Sequence, residues 1–183
     1  MPASGPATRE DGLQVAAVLA PVFRDVEGTL RTLLVVRSSH GRHGSQLGFP
    51  GGKPEPGDPD LLATALREAE EEVGLDPAAV DVIDTLPPLD TVATGFRVYG
   101  FVGRVPPDTV WRLDAVEIAG VLTPAIDLLA DPAARARLPF RSSTFPDGLL
   151  VDGIDVEGHV LWGMTLRLLD RLVPRLLAGE MGV

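Results

Sequence analysis

Between Gly48 and Leu75 the chain reads "GFPGGKPEPGDPDLLATALREAEEEVGL", a loop of glycines and prolines that runs straight into an acidic helix. Asp58 is placed to cap that helix and Pro59 suits its first position, so the spacing predicts a helix from Pro59 to Val73. Leu62, Ala65, Leu66, Ala69 and Val73 recur at helical spacing and form its buried stripe, and Gly74 ends it in the left-handed position. Glu68, Glu71 and Glu72 stand at i, i+3 and i+4 and share one face. Glu70 sits about 200° around from Glu68 and points away. Like charges at that spacing repel by roughly 0.2–0.5 kcal/mol a pair. Three convergent carboxylates beside a Gly-Gly loop therefore call for positive charge between them. The helix carries no cysteine or histidine for zinc, so a hard cation with oxygen ligands, Mg²⁺ or Mn²⁺, fits best; a solvated acidic face is the alternative.

The rest of the chain reads mostly as strands. Met1 to Gly12 is small and polar and is expected to be a mobile leader, with a single domain over residues 13–183. Leu13 to Phe23 is an apolar, buried strand; "DVEG" is a turn, and Thr32 to Ser38 should return as the second arm of a hairpin. Ser39 to Asp58 is a glycine-rich loop holding His40 and His43. Strands are predicted over Val80–Leu86, Phe96–Val105 and Ala115–Thr123, then a short helix over Pro124–Leu129 and an irregular "DPAARARL". "LLVDGIDV" and "HVLWGM" suggest a hairpin, and Thr165–Leu177 a closing amphipathic helix. Strands, one central helix, more strands and a terminal helix predict an α/β fold of the α+β kind, a mixed sheet sandwiched between helices.

Charge and composition narrow the function. A net charge of −10 argues against a nucleic-acid partner, because phosphate backbones want Lys and Arg; a small anion can still bind in a local basic patch or on a metal ion. The lack of cysteine removes disulfides, thiolate metal sites and cysteine nucleophiles. No apolar segment reaches membrane-spanning length and no signal-peptide pattern opens the chain, so a cytoplasmic location is the expectation. Oligomeric state stays open, a homodimer included.

The stretch "GGKPEPGDPDLLATALREAEEEVGL" resembles the Nudix box of the Nudix hydrolases. Arg67, Glu68, Ala69, Glu71, Glu72, Gly74 and Leu75 match its second half. Asp58 stands where the box has glutamate, and the spacer from it to Arg67 is one residue longer. The resemblance implies a Nudix fold and Mg²⁺- or Mn²⁺-dependent hydrolysis of a nucleoside diphosphate linked to another group. It also implies that Glu68, Glu71, Glu72 and the Gly51 carbonyl hold the metal and that Arg67 orients them. "LLVVRSSHGRHGSQLGFPGG" (Leu33 to Gly52) resembles the extra motif of the coenzyme A pyrophosphatase branch, matching at Leu33, Leu34, Arg37, Ser38, Arg42, Phe49, Pro50, Gly51 and Gly52. "LPPLDTVATGFRVYGFVGRVPPD" and "LWGMT" look like later segments of that branch. In that motif the loop before Phe49 is one residue short, and "LLVV" replaces a threonine-bearing strand end. The implied substrate is coenzyme A or an acyl derivative, split into 3′,5′-ADP and a 4′-phosphopantetheine. Another nucleoside diphosphate derivative such as ADP-ribose, a nucleoside triphosphate, or an inactive nucleotide-sensing module are the other readings.

Arg37 and Arg42 are candidate phosphate contacts, since arginine recognises phosphate by bidentate bonds. His40 and His43 are weaker candidates for the same loop. For the base that activates water, Glu117 in "DAVEIAGVL" is the candidate, where other members of the family place a metal-binding or base glutamate; Glu55 and Asp58 are its rivals.

Overall fold

Side chains along the strand Leu13–Arg24 alternate between two separate apolar layers, and this strand is the spine of the molecule. The computed structural model describes residues 6–38, 46–91, 94–142 and 145–183. In chain order its elements are β1 (Arg9–Glu10), β2 (Leu13–Arg24), β3 (Leu30–Thr32), β4 (Leu34–Arg37), β5 (Leu47–Gly48), β6 (Gly51–Gly52) and helix α1 (Leu61–Val73). There follow β7 (Asp81–Thr91), β8 (Phe96–Arg104), β9 (Ile118–Leu122), α2 (Ile126–Ala130), β10 (Arg135–Phe140), β11 (Leu149–Val156), β12 (His159–Trp162) and α3 (Gly163–Leu177).

The largest sheet has the order β1-β2-β8-β7, with β3 and β6 also paired to β2. β2 runs parallel to β8 and antiparallel to its other partners, so the sheet is mixed. Ala16, Val18, Ala20 and Val22 point to a layer shared with Leu168, Leu169 and Leu172 of α3. Ala17, Leu19 and Phe23 point to the other layer, shared with Ala65, Ala69 and Val73 of α1. A strand buried on both faces reads as a continuous apolar run, as this one does. The mixed sheet between helices expected from the element order is thus what the chain builds. β5-β4-β9 and β10-β11-β12 form two further three-stranded sheets. Among the described residues no helix is long and apolar enough to cross a membrane.

Several local expectations change. The predicted hairpin is only partly formed: Val22 to Arg24 pairs with Leu30 to Thr32, after which β4 leaves to pair with β5 and β9. Leu33 and Val35 face the α1 layer while Leu34 and Val36 face the α3 layer, so β4 bridges both layers. The helix begins two residues later than expected, because Asp60, not Asp58, caps it by accepting from the Ala63 N–H at 2.8 Å. In the sequence "DPD" either aspartate suits the cap. Gly74, at φ 69°, closes the helix as expected. Leu62 is only half-buried, and Thr64 lies in the buried face beside Ala65, Ala69 and Val73. "DPAARARL" is ordered into a 3₁₀ turn and β10, which pairs with β11 along its length. Ala115–Glu117 is a turn, and the strand predicted there starts at Ile118. Upstream of β2, Arg9 and Glu10 pair with Gln14 and Leu13, and Glu10 accepts a hydrogen bond from the Tyr99 hydroxyl at 2.6 Å.

Candidate active site

The acidic helix meets β6 at one corner, and two arginines organise that corner. Gly51 and Gly52 pair with Val18 and Ala17 of β2, which seats the end of the glycine loop alongside β2 and against α1. The approach demands glycine. A Cβ on Gly51 would lie 2.3 Å from the Ala17 carbonyl oxygen, at φ 153°, and one on Gly52 would lie 2.2 Å from Oε1 of Glu68. The Glu68 carboxylate therefore rests in the space that the missing Gly52 side chain leaves.

Arg67 ties the loop to the helix. Its Nε and Nη2 donate to the two Asp58 carboxylate oxygens at 3.0 and 3.1 Å, and Nη2 also donates to the Lys53 carbonyl at 3.1 Å. Nη1 donates to Glu71 Oε2 at 2.9 Å and lies 3.2 Å from Glu68 Oε1. Asp58 further accepts from the Thr64 hydroxyl and the Glu55 N–H, at 2.8 and 2.9 Å. Burial by itself pushes the Asp58 carboxyl up, but Arg67, Glu55 and Thr64 together hold it below the usual range. A carboxylate with both oxygens committed in this way is an anchor for Arg67, which removes Asp58 from the candidates for a water-activating base. Ahead of a helix Asp58 looks like a cap or a loop base, and its spacing of nine residues before Arg67 carries no helical-face signal linking the two.

Glu72 is held by a different arginine. It is 1% exposed, accepts from the Gly51 N–H at 3.1 Å through Oε2 and from Arg37 Nη1 at 2.9 Å through Oε1. Arg37 Nη2 donates to the Gly51 carbonyl, also at 2.9 Å. Arg37 alternates onto the same side of β4 as Val35, the side that packs against α1, and so reaches the acidic helix. Burial raises the Glu72 carboxyl to about 7 against the pull of Arg37 and the Gly51 N–H. Burial likewise raises Glu68, with Arg67 opposing it and the Glu71 charge adding to it. Glu71 is more open, its side chain 59% exposed, and Glu70 faces solvent as its helical angle requires.

The donor set suits a hard cation. Four carboxylates, Asp58, Glu68, Glu71 and Glu72, surround two guanidinium groups, Arg37 and Arg67, a formal excess of two negative charges with every carboxyl ionised, on oxygen ligands. Lys53 does not balance them: its ammonium sits over the Phe96 ring, 5.3 Å from the centroid. As the side chains stand, no group of three acidic or histidine residues converges into a ready-formed metal site among the described residues. Glu71 instead leans on Arg67, and Arg37 covers Glu72.

Glu117 lies at the rim. Its carbonyl accepts from the Ser38 N–H at 2.7 Å, next to Arg37, and the preceding Arg112 and Asp114 N–H groups bond to the Val73 and Glu72 carbonyls at 2.8 and 3.1 Å. These bonds wrap the segment around the C-terminal end of α1. The Glu117 side chain is exposed, in the turn just ahead of β9. Glu55 is also exposed, in the loop ahead of Asp58. Arg42, His40 and His43 lie outside the described residues.

Comparison with known proteins agrees with this layout. The family model of the NUDIX domain matches residues 13–142. The uncharacterized Nudix hydrolase NudL of Salmonella paratyphi B is 49% identical over 107 residues, which is 58% of this chain and 54% of that protein. The chain thus matches about half the length of that curated relative. Among solved structures, the NUDIX domain of Shewanella oneidensis NrtR, crystallised with ADP ribose, superposes with a TM-score of 0.60 at 17% identity, covering 92% of this chain and 90% of that one. A Caenorhabditis elegans Ap4A hydrolase in a binary complex gives 0.53 at 20% identity, over 61% of this chain and 80% of that one. At such identities these structures share the fold alone. With the family model matching well over half of its length, and with the glycine loop, Arg67 and the three glutamates gathered where β6 meets α1, the chain belongs to the Nudix family.

Proposed function

We propose that this protein is a metal-dependent pyrophosphatase that cleaves coenzyme A or an acyl derivative of it into 3′,5′-ADP and (acyl-)4′-phosphopantetheine. The observation that carries the reaction type is the corner built from Glu68, Glu72 and the Gly51 carbonyl, with its excess of negative charge. Glu68, Glu71, Glu72 and the Gly51 carbonyl are the groups that would hold Mg²⁺ or Mn²⁺. Bound there, the metal would neutralise the pyrophosphate and lower the pKa of a water molecule. The chain's own residues do the positioning. Arg67 braces Glu68 and Glu71 against the loop, and Asp58 braces Arg67. A base removes a proton from water as its oxygen bonds to one phosphorus, and the bridging oxygen departs with the other phosphate and takes up a proton. Glu117, at the rim beside Ser38, is the candidate base.

The substrate assignment rests on the sequence match ahead of the box, Arg37-Ser38 through Phe49-Pro50-Gly51-Gly52. Arg42 is the residue assigned to the 3′-phosphate, which coenzyme A has and dephospho-coenzyme A lacks. The test is a substrate panel (coenzyme A, acetyl-coenzyme A, dephospho-coenzyme A, ADP-ribose, a nucleoside triphosphate) with Mg²⁺ or Mn²⁺ and product masses read by mass spectrometry. Formation of 3′,5′-ADP from coenzyme A at the highest kcat/KM supports the reading. Preference for ADP-ribose or a triphosphate refutes it, and binding without turnover of any substrate points to a nucleotide sensor. Arg42→Ala should then weaken coenzyme A more than dephospho-coenzyme A; equal losses in kcat/KM remove Arg42 from that role.

A further inference from the structure

Arg37 occupies an unusual place in this corner. Its two terminal nitrogens bridge Oε1 of Glu72 and the carbonyl oxygen of Gly51, both at 2.9 Å. These are two of the oxygens that the metal reading above assigns to the cation, and the inference rests on that reading. The Gly51 N–H closes the circuit on Oε2 of the same carboxylate at 3.1 Å. Glu72 is buried, so its charge must be compensated within the protein. Arg37, by contrast, keeps 29% of its side chain open to solvent and sits on the last residue of β4, where the strand register slips between Val36 and Arg37. It has a route out of the corner that Glu72 lacks.

We propose that Arg37 is a resident counter-cation of the Glu72–Gly51 corner, and that a divalent cation displaces it. In the metal-free protein the guanidinium satisfies the buried carboxylate and the carbonyl. Were a divalent ion held by these residues, it would compete for the same two oxygens with twice the charge, and Arg37 would leave them. Arg37 is then released at the mouth of the site, beside Ser38 and Glu117, where an anionic substrate group can meet it. One residue thereby serves two states. It stabilises the protein without metal, and it is delivered toward the pyrophosphate only once the metal is in place.

The experiment uses full-length protein without nucleotide, stripped with chelator, and Mn²⁺ as the probe. Mn²⁺ affinity is measured by calorimetry and by the free-Mn²⁺ EPR signal for wild type, Arg37→Gln and Arg37→Lys. Removing a competitor should tighten Mn²⁺ binding in Arg37→Gln on the order of tenfold or more, the scale of an ordinary coupling between two ligands. The stripped variant should also melt lower than wild type and recover most of the difference with saturating Mn²⁺. Arg37→Lys, which keeps a charge but lacks the two-pronged guanidinium, should fold and fall between the two. Equal or weaker Mn²⁺ binding in both variants overturns the displacement, because Arg37 would then support the metal site rather than compete for it. Failure of wild type and both variants alike to bind Mn²⁺ overturns the metal reading itself, and this inference with it.

Discussion

Replacing Glu72 by glutamine isolates the electrostatic cost of the buried carboxylate. In the metal-free protein burial raises this group from 4.5 to about 7. That difference corresponds to about 3 kcal/mol, at about 1.4 kcal/mol per pKa unit. The sign follows from proton binding. A carboxyl whose folded-state pKa lies above its unfolded one binds its proton more tightly when folded. Its contribution to stability is complete below the unfolded value and is lost as pH rises through the folded value. Glutamine keeps the shape and can still accept the Gly51 N–H, but it does not titrate. The stability of wild type relative to Glu72→Gln should therefore fall by about 3 kcal/mol between about pH 4.5 and about pH 8. For a chain of this size that corresponds to a change of roughly 6–12 °C in the Tm difference. The assay is chemical and thermal unfolding of both proteins in chelator across that range, which cancels the titrating groups that do not interact with Glu72; Glu68, whose charge adds to the shift, stays coupled to it. Parallel stability curves, within about 1 kcal/mol, would show that Arg37 and Gly51 compensate the charge fully and that burial does not strain it.

Glu71→Gln removes one charge of the proposed metal set from an exposed position, so activity in saturating Mg²⁺ should fall by orders of magnitude while the metal-free Tm holds or rises; near-normal turnover would remove Glu71 from the metal set. Asp58→Asn breaks the anchor of Arg67 and should cost about 3 kcal/mol in denaturant unfolding along with a fall in kcat, whereas a loss below about 1 kcal/mol would mean that Lys53 and the glutamates hold Arg67 by themselves. Gly52→Ala puts a methyl group where the Glu68 carboxylate lies and should lower Mn²⁺ affinity and kcat together; unchanged metal binding would place Glu68 outside the metal set. Glu117→Gln should lower kcat with KM retained and abolish the acidic limb of the pH–rate profile, and an unchanged profile would return the role to Glu55.

Much of this protein was legible in its sequence because periodicity and caps are local. The run from Leu13 to Phe23, the acidic helix and its Gly74 stop, the hairpin before the terminal helix, and the common face of Glu68 and Glu72 all follow from neighbouring residues. The match from Gly51 to Leu75 placed the family on the same local pattern. What only the tertiary structure decided lies in pairings distant along the chain. Arg37 reaches Glu72 across 35 residues and Asp58 reaches Arg67 across nine, in each case because strand pairing or a loop return brings the two together. An arginine in a phosphate-like motif and an aspartate before a helix look the same whatever else they touch, so neither residue type records that Arg37 also holds Glu72 or that Asp58 anchors Arg67. Burial made the difference: Glu72, identical in type to Glu71 beside it, is sealed between β6 and β4 while Glu71 stays in solvent, and that environment, which no residue type records, gives the two carboxylates different chemistry.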